Sequence, residues 1–271
     1  MGDAVIFVAD THINSKLGLC CTDVYGDDGD KYEPNLIQKW LWHTWNRCIT
    51  SIDNITKGYK RTIILNGDII DLDSKHRSDQ MVAQNPATVL KITDSVLEPL
   101  LKIADRLFVV RGTEAHSGPS AWSEESIANR YQAVQDKETK QYAWWQIRGI
   151  FGGVKFDVTH HASMGTLPWT YATTVMRTVQ EARMEYLEWQ EQAPDVIIRA
   201  HQHRYADSGT TFSTRGVYLP CWQYKTAYLY RVGRVNAKPH IGAVVFLCNN
   251  GKYELIPLLY EPIRSSTWKE I

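Results

Sequence analysis

AVIFVADTH, residues 4–12, decides the fold. Its apolar run is continuous rather than alternating, which suits a strand covered on both faces. The run breaks off at Asp10, and His12 follows two residues later. On a strand that continues into extended chain, residues i and i+2 point to the same side, so an oxygen and an imidazole can grip one ion. Four more apolar runs end in the same way. Thr62 to Leu65 comes shortly before Asp68, and Leu107 to Val110 shortly before Glu114 and His116. Phe156 to Thr159 precedes His160, and Val196 to Ile198 comes just before His201. One strand ending in Asp or His means little. Five in one chain predict strands that deliver such side chains to one sheet edge, and in open α/β sheets the carboxyl edge is where ligands bind.

Helical patterns separate these runs. A polar, glycine-containing loop covers 14–33, and Pro34 opens a helix predicted over 35–56. Trp42, Trp45 and Ile49 fall there at helical spacing, with Leu41 and Cys48 on a neighbouring stripe. RTIIL (61–65) reads as the second strand. It is followed by the polar loop DLDSKHRSDQ (71–80) and a helix over 86–104 with Val89, Ile92, Val96 and Leu100 on one face. RLFVV (106–110) is the third strand, and 120–134 reads as helical. A hairpin is predicted over 142–159, turning at Gly152-Gly153, where glycine allows positive φ. A helix over 169–192 ends at Pro194, and the strand DVIIR follows. The rest is strand-rich: RGVYLP, TAYLYRV, IGAVVFL and KYELIPL, with Asn249-Asn250-Gly251 as a hairpin turn between the last two. Alternating strands and helices followed by a run of strands predict layered sheets in one α/β domain over residues 1–271.

Composition bounds the partners. The 271 residues carry 30 basic and 30 acidic side chains, a formal net charge of zero, which argues against a dedicated nucleic-acid coat but leaves room for a local basic groove. The cysteines, Cys20, Cys21, Cys48, Cys221 and Cys248, are odd in number and follow no zinc or redox spacing, so reduced thiols in a cytoplasmic protein are expected. The first residues carry acid where a signal peptide carries base, and no run approaches a membrane span.

Six of the nine histidines, His12, His116, His160, His161, His201 and His203, lie at the strand ends. So many converging imidazoles repel one another when protonated, and metal binding removes that problem by holding them neutral. Asp68 follows Gly67, which lets the backbone turn tightly at the sheet edge; Asp71 lies three residues on. His201-Gln202-His203 repeats the i, i+2 geometry with two imidazoles.

In order, the blocks read ADTH, NGDIID, RGTEAH, THHA and AHQH. This set resembles the calcineurin-like metallophosphoesterases, whose pattern is D-x-H, G-D-x-x-D, G-N-H-D/E, a lone His, then G-H-x-H. The motifs cover residues 10–203, and the short form is similar to stand-alone members of the phage and prophage type. The resemblance implies a four-layered α-β-β-α sandwich of two mixed sheets flanked by helices, with two divalent metal ions at the sheet edges. It implies Asp10, His12 and His203 on the first metal, Asp68 between both, His160 and His201 on the second, and Asp71 orienting a ligand. His161 has no role in the pattern. The third block departs from it: Thr113 stands in the Asn position and His116 comes two residues late. Glu114, a hard anionic oxygen, is therefore the expected ligand there, and His116 the acid beside the leaving group. Ala200 replaces the usual glycine before His201.

The expected activity is dinuclear phosphoester hydrolysis by a metal-activated hydroxide. Mixed nitrogen and oxygen ligands suit manganese, with iron, zinc, nickel and cobalt as alternatives. Lys75, His76 and Arg77 beyond the second block, and Arg111 before the third, are candidate phosphate contacts. Trp122, Trp169 and Trp222 lie on predicted connections, where bases can stack. These favour a phosphodiesterase or nuclease acting on nucleic acid or nucleotides. A phosphomonoesterase is the alternative, and a non-catalytic scaffold of the same fold stands behind it.

Overall fold

In the protein, seen here as a computed structural model, strand β1 (Asp3–Val8) is buried on both faces, and its two faces meet different layers. Residues 2–72, 80–162, 170–226 and 238–264 are described. β1 pairs in parallel with β4 (Lys60–Asn66), which pairs in parallel with β5 (Arg106–Val110) and through it with the short β6 (Ala143–Trp144). On its other side β1 is antiparallel to β12 (Ile241–Asn249), which turns at Asn250-Gly251 into β13 (Lys252–Tyr260). The result is a six-stranded mixed sheet of order β13-β12-β1-β4-β5-β6. A second sheet has the order β10-β11-β9-β8-β7. It is built from β7 (Ile147–Phe151), β8 (Val154–Val158), β9 (Val196–Arg199), β10 (Ala206–Asp207) and β11 (Arg215–Tyr218). Here β8, β9 and β11 run parallel to one another. A two-stranded ribbon, β2 (Val24–Tyr25) and β3 (Lys31–Tyr32), interrupts the loop after β1.

Alternation along each strand sorts its side chains between two cores. Val5, Phe7, Ile64, Phe108, Val110 and Phe246 face the second sheet and pack with Phe151, Phe156, Val158, Val196, Ile198 and Val217. Ala4, Ile6, Val8, Ile63, Leu65 and Val245 face the other way. There they meet Leu41, Trp45, Cys48 and Ile52 of α1 (Leu36–Ile55), Val89, Ile92 and Val96 of α2 (Pro86–Leu101), and Ile127 of α4 (Trp122–Arg130). The outer face of the second sheet offers Ile197, which packs on Val179 and Ala182 of α5 (Tyr171–Glu188). The layers are therefore helix, sheet, sheet, helix. Each fully buried Leu, Ile or Phe stabilises this arrangement by roughly 1.5–3 kcal/mol relative to exposure.

The helices begin where the sequence places caps. Asn35 accepts from the Gln38 N–H at 3.0 Å, and the Gln38 side chain accepts from the Asn35 N–H at 3.1 Å, a reciprocal capping box that fixes the start of α1. The stripe on α1 shifts slightly: Leu41, Trp45 and Cys48 are buried, while Trp42 is only partly covered. The helix expected over 120–134 is shorter, because a kinked turn at Pro119–Ala121 precedes α4. The hairpin expected over 142–159 also divides: Ala143–Trp144 joins the first sheet, and only β7 and β8 pair across Gly152-Gly153. TAYLYRV lies largely outside the described residues. No helix among the described residues is long and apolar enough to cross a membrane.

Candidate metal centre

β1, β4 and β5 are parallel neighbours in one sheet, and β8 and β9 are parallel neighbours in the other. Their carboxyl ends converge, because residues from the two sheets touch there. His160, after β8, has its Nδ1 2.7 Å from the Asn66 carbonyl at the end of β4, and the Asn66 amide donates to the Thr159 carbonyl at 3.1 Å. Gly67 is required at this crossing: its φ is 74°, and a Cβ there would lie 2.4 Å from His160 Nδ1. Gly112 is required for a similar reason, since a Cβ would lie 2.2 Å from the Asp68 nitrogen.

Asp10, His12, Asp68, His201 and His203 all adopt left-handed backbone, with φ of 51°, 44°, 48°, 69° and 54°. Each costs roughly 1–3 kcal/mol for a residue with a Cβ. Concentrated at one edge, this strain marks a place where the position of side chains is held against local preference.

Three ligand groups result. Asp10, His12 and His203 form the first. The His12 and His203 Nε2 atoms face each other at 3.1 Å, and His203 Nε2 lies 3.2 Å from Asp10 Oδ1. Asp68, His160 and His201 form the second, with His160 Nε2 3.1 Å and His201 Nδ1 3.9 Å from Asp68 Oδ2. The two groups adjoin: His160 Nε2 is 4.0 Å from Asp10 Oδ1, and the His201 N–H donates to Asp10 Oδ2 at 3.2 Å. His12, Asp71 and His116 form the third. It shares His12 with the first group, but through the other ring nitrogen: Nδ1 donates to Asp71 Oδ1 at 3.2 Å. His116 Nδ1 donates to the same oxygen. The third group thus ties His12 to His116 through one carboxylate.

The donors fit divalent cations. Asp10 Oδ1 and His160 Nε2 are buried and make no well-aligned hydrogen bond, although His203 and Asp68 lie 3.2 and 3.1 Å from them, so a cation would complete both atoms. Two imidazole nitrogens with one carboxylate oxygen in each group make the mixed donor set that manganese, iron or zinc accepts.

The charges are tightly coupled. Burial works against protonating His160, but Asp68 and Asp10 outweigh it and pull the imidazole up to about 9. The same pairing, with His201, holds the Asp68 carboxyl well below its usual range despite burial. Burial pushes His12 down, and Asp71 only partly offsets it. His116 goes the other way: its bond to Asp71 and the charge there overcome burial and raise it. Asp71, between two imidazoles, is lowered although buried.

Most expected site residues meet, and some do not. Glu114 belongs to none of the three groups; it is exposed at the start of a single turn, α3 (Glu114–Ser117), and its carboxylate caps the Ser120 N–H at 2.9 Å. Entry into a helical turn directs Glu114 outward and leaves Thr113 inward. Thr113 Oγ1 lies 3.1 Å from Asp68 Oδ2 and 3.3 Å from His201 Nδ1. Arg111, an expected phosphate contact, is turned into the protein: it is buried, binds Glu125 at 2.8 Å and Gln141 at 2.9 Å, and stacks over Trp145. Trp222 is not available for stacking either, being fully buried edge-on against Trp45. Trp122 is partly exposed at the start of α4. Lys75, His76, Arg77 and Trp169 lie outside the described residues. Asp68 falls in the second group alone, and the carboxylate oxygen nearest both groups is Asp10 Oδ1. His161 is exposed, with its ring 5.2 Å from those of His160 and His201.

Two contributors were not foreseen. Glu124 of α4 is buried behind Asp68 and accepts from the Ser117 hydroxyl and the Ile69 N–H. Burial and the nearby Asp68 charge push it up to about 7. Gln223 follows β11, whose parallel alignment with β9 brings LPCWQ to the same edge; this sixth strand end was visible as RGVYLP but carries neither the Asp nor the His that marks the other five.

No protein-family model and no curated protein matches the sequence. Solved structures resemble the chain loosely. A Thermotoga maritima protein determined by solution NMR shares 13% identity over 95% of this chain and 99% of its own, with a TM-score of 0.40. A dimetal phosphatase from Danio rerio shares 8% identity over 94% of this chain and 96% of its own, with a TM-score of 0.44. A 5'-nucleotidase from Candida albicans shares 12% identity over 82% of this chain and 46% of its own, with a TM-score of 0.34.

Proposed function

We propose that the protein is a metal-dependent phosphoester hydrolase acting on phosphodiesters of nucleic acid or nucleotides. One cation would be held by Asp10, His12 and His203, the other by Asp68, His160 and His201. The observation that carries this reading is the adjacency of the two ligand groups, 4.0 Å between His160 Nε2 and Asp10 Oδ1, with His116 held beside them on Asp71. Divalent cations bound there would neutralise phosphoryl oxygens and make water a better nucleophile at neutral pH.

The chain's own residues supply the rest. Asp71 is acceptor-only when ionised, so the hydrogens of His12 Nδ1 and His116 Nδ1 point at it. That leaves His12 Nε2 free to face the first group and His116 Nε2 free to face a leaving oxygen. The bond to Asp71 and the charge there raise His116 above its ordinary value, which favours the protonated form that would donate to the departing alkoxide, a step worth about 10²–10⁴-fold. Thr113 holds Asp68 in place through its N–H and hydroxyl. Arg111 is committed to Glu125 and Gln141 and adds no charge to a bound phosphate. This favours a singly charged diester over a doubly charged monoester.

The test is hydrolysis by protein stripped of metal and reloaded with manganese. Substrates are bis-p-nitrophenyl phosphate, p-nitrophenyl phosphate, cyclic nucleotides, and single-stranded DNA and RNA. The diesters should be cleaved faster, and Asp68→Asn should abolish cleavage while the fold persists. Faster cleavage of the monoester would identify a phosphatase instead. Inertness of the loaded protein toward every substrate would remove the enzyme reading.

A further inference from the structure

We infer that Gln223 is a positioning residue that acts through Asp71 on both His12 and His116; the inference rests on the hydrolase reading above. Gln223 is buried, 3% exposed, and its side-chain amide lies 3.1 Å from Asp71 Oδ2 and 3.3 Å from Ser15 Oγ. The chemistry of the partner fixes the amide's orientation. Asp71 accepts from two imidazole hydrogens on Oδ1 and can only accept on Oδ2, so the Gln223 NH₂ must face it. The second amide hydrogen goes to Ser15, whose oxygen also receives the Leu17 N–H at 3.3 Å.

The consequence concerns rotation of the Asp71 carboxylate. Its backbone is pinned on both sides: the N–H donates to the Ile13 carbonyl at 2.8 Å, and the carbonyl accepts from the Asn14 amide at 2.9 Å. What remains free is the last side-chain torsion, which is soft and twofold in a carboxylate. Gln223 fixes it by occupying Oδ2. Oδ1 is then the single oxygen presented to His12 and His116, whose rings meet edge to face with centroids 4.6 Å apart. Without that anchor the carboxylate can offer one oxygen to each imidazole, and the two rings are no longer held on one atom. Gln223 thereby couples a ligand of the first group to the leaving-group acid from a strand end that contributes no ligand itself.

Gln223→Met tests this, because it keeps length and unbranched shape while removing the donor. Ser15→Ala is the second variant; it removes the other anchor of the same amide. In Gln223→Met, manganese binding by calorimetry should show one of two sites weakened about 10-fold, at the low end of the effect of losing an outer partner of a metal ligand. Ser15→Ala should move in the same direction by less. Diester cleavage should fall about 10-fold for an alkyl leaving group, which needs protonation, and far less for 2,4-dinitrophenolate, which does not. A merely structural role would lower both leaving groups alike. Equal losses, or binding and cleavage unchanged in Gln223→Met, would overturn the inference. If the wild-type chain binds two metals but cleaves neither substrate, the hydrolase reading falls, while the calorimetric result still decides whether Gln223 acts on His12.

Discussion

Thr113 holds Asp68 with both of its donors: the backbone N–H reaches Oδ1 at 2.6 Å, and the hydroxyl reaches Oδ2 at 3.1 Å. A hydrogen bond to a charged group is worth about 1.5–3 kcal/mol, and here the carboxylate is buried. Thr113→Val keeps the N–H and the volume but deletes the hydroxyl. It should weaken manganese at one site by about 10–100-fold, as losing an outer partner of a metal ligand does. Glu114→Gln should leave metal content and activity unchanged, since that carboxylate points to Ser120 and away from the cluster. Calorimetric titration of both variants checks the pair. Loss of a metal in Glu114→Gln with two retained in Thr113→Val would reverse the placement of this block.

That block shows where the sequence ceases to be legible. The strand ends were readable because β1, β4, β5 and β9 send apolar side chains into cores on both faces, so those runs are largely continuous and their ends sharp, while β8, VKFDV, sends Val154, Phe156 and Val158 into one core. What a polar residue does after the strand depends on how the chain turns. Glu114 is the better ligand chemically, but it begins the turn of α3 and is directed outward, and no local pattern in RGTEAH separates Glu114 from Thr113. Arg111 looked like a free cation because its partners Glu125 and Gln141 are 14 and 30 residues away. Gln223 was hidden for a different reason: it lies 152 residues from Asp71, and its strand end carries neither the Asp nor the His that marks the others.

Metal should stabilise the fold by mass action. Cations that bind only the native chain add about 2.7 kcal/mol per site at a concentration of 100 times Kd. For a chain of this size that corresponds to about 5–11 °C per site in Tm. Adding manganese to chelator-stripped protein at pH 7.5 should therefore raise Tm. The rise should shrink toward pH 5.5, because protons on His160, raised to about 9, and on His203, also raised, compete for the same nitrogens. A Tm indifferent to manganese at both pH values would remove the metal centre.

His116 and Asp71 give the pH profile its sign. An acid catalyst must be protonated, so activity falls as pH rises through the His116 pKa. Asp71 raises that pKa and extends the active range upward. Asp71→Asn removes the charge, so the basic limb of kcat should move to lower pH, with the larger loss on substrates carrying poor leaving groups. A basic limb that stays in place would show that His116 is not the acid, or that Asp71 does not tune it.

Glu124 offers a stability test independent of catalysis. Burial, reinforced by the Asp68 charge, pushes its carboxyl from 4.5 up to about 7, so the fold prefers it neutral. A raised folded pKa contributes stability that is fully present below the unfolded value and is lost as pH rises through the folded one. The loss therefore falls between pH 4.5 and about 7. At about 1.36 kcal/mol for each pH unit, it amounts to an upper bound of about 3 kcal/mol. Glu124→Gln keeps an oxygen for the Ser117 hydroxyl and the Ile69 N–H but cannot ionise. In chelator, so that no cation offsets the charge, urea unfolding should find the two chains nearly equal at pH 4.5 and Glu124→Gln the more stable at pH 8. Parallel stability curves across that range would show that Glu124 is ionised throughout and that the charge behind Asp68 is balanced by some other group.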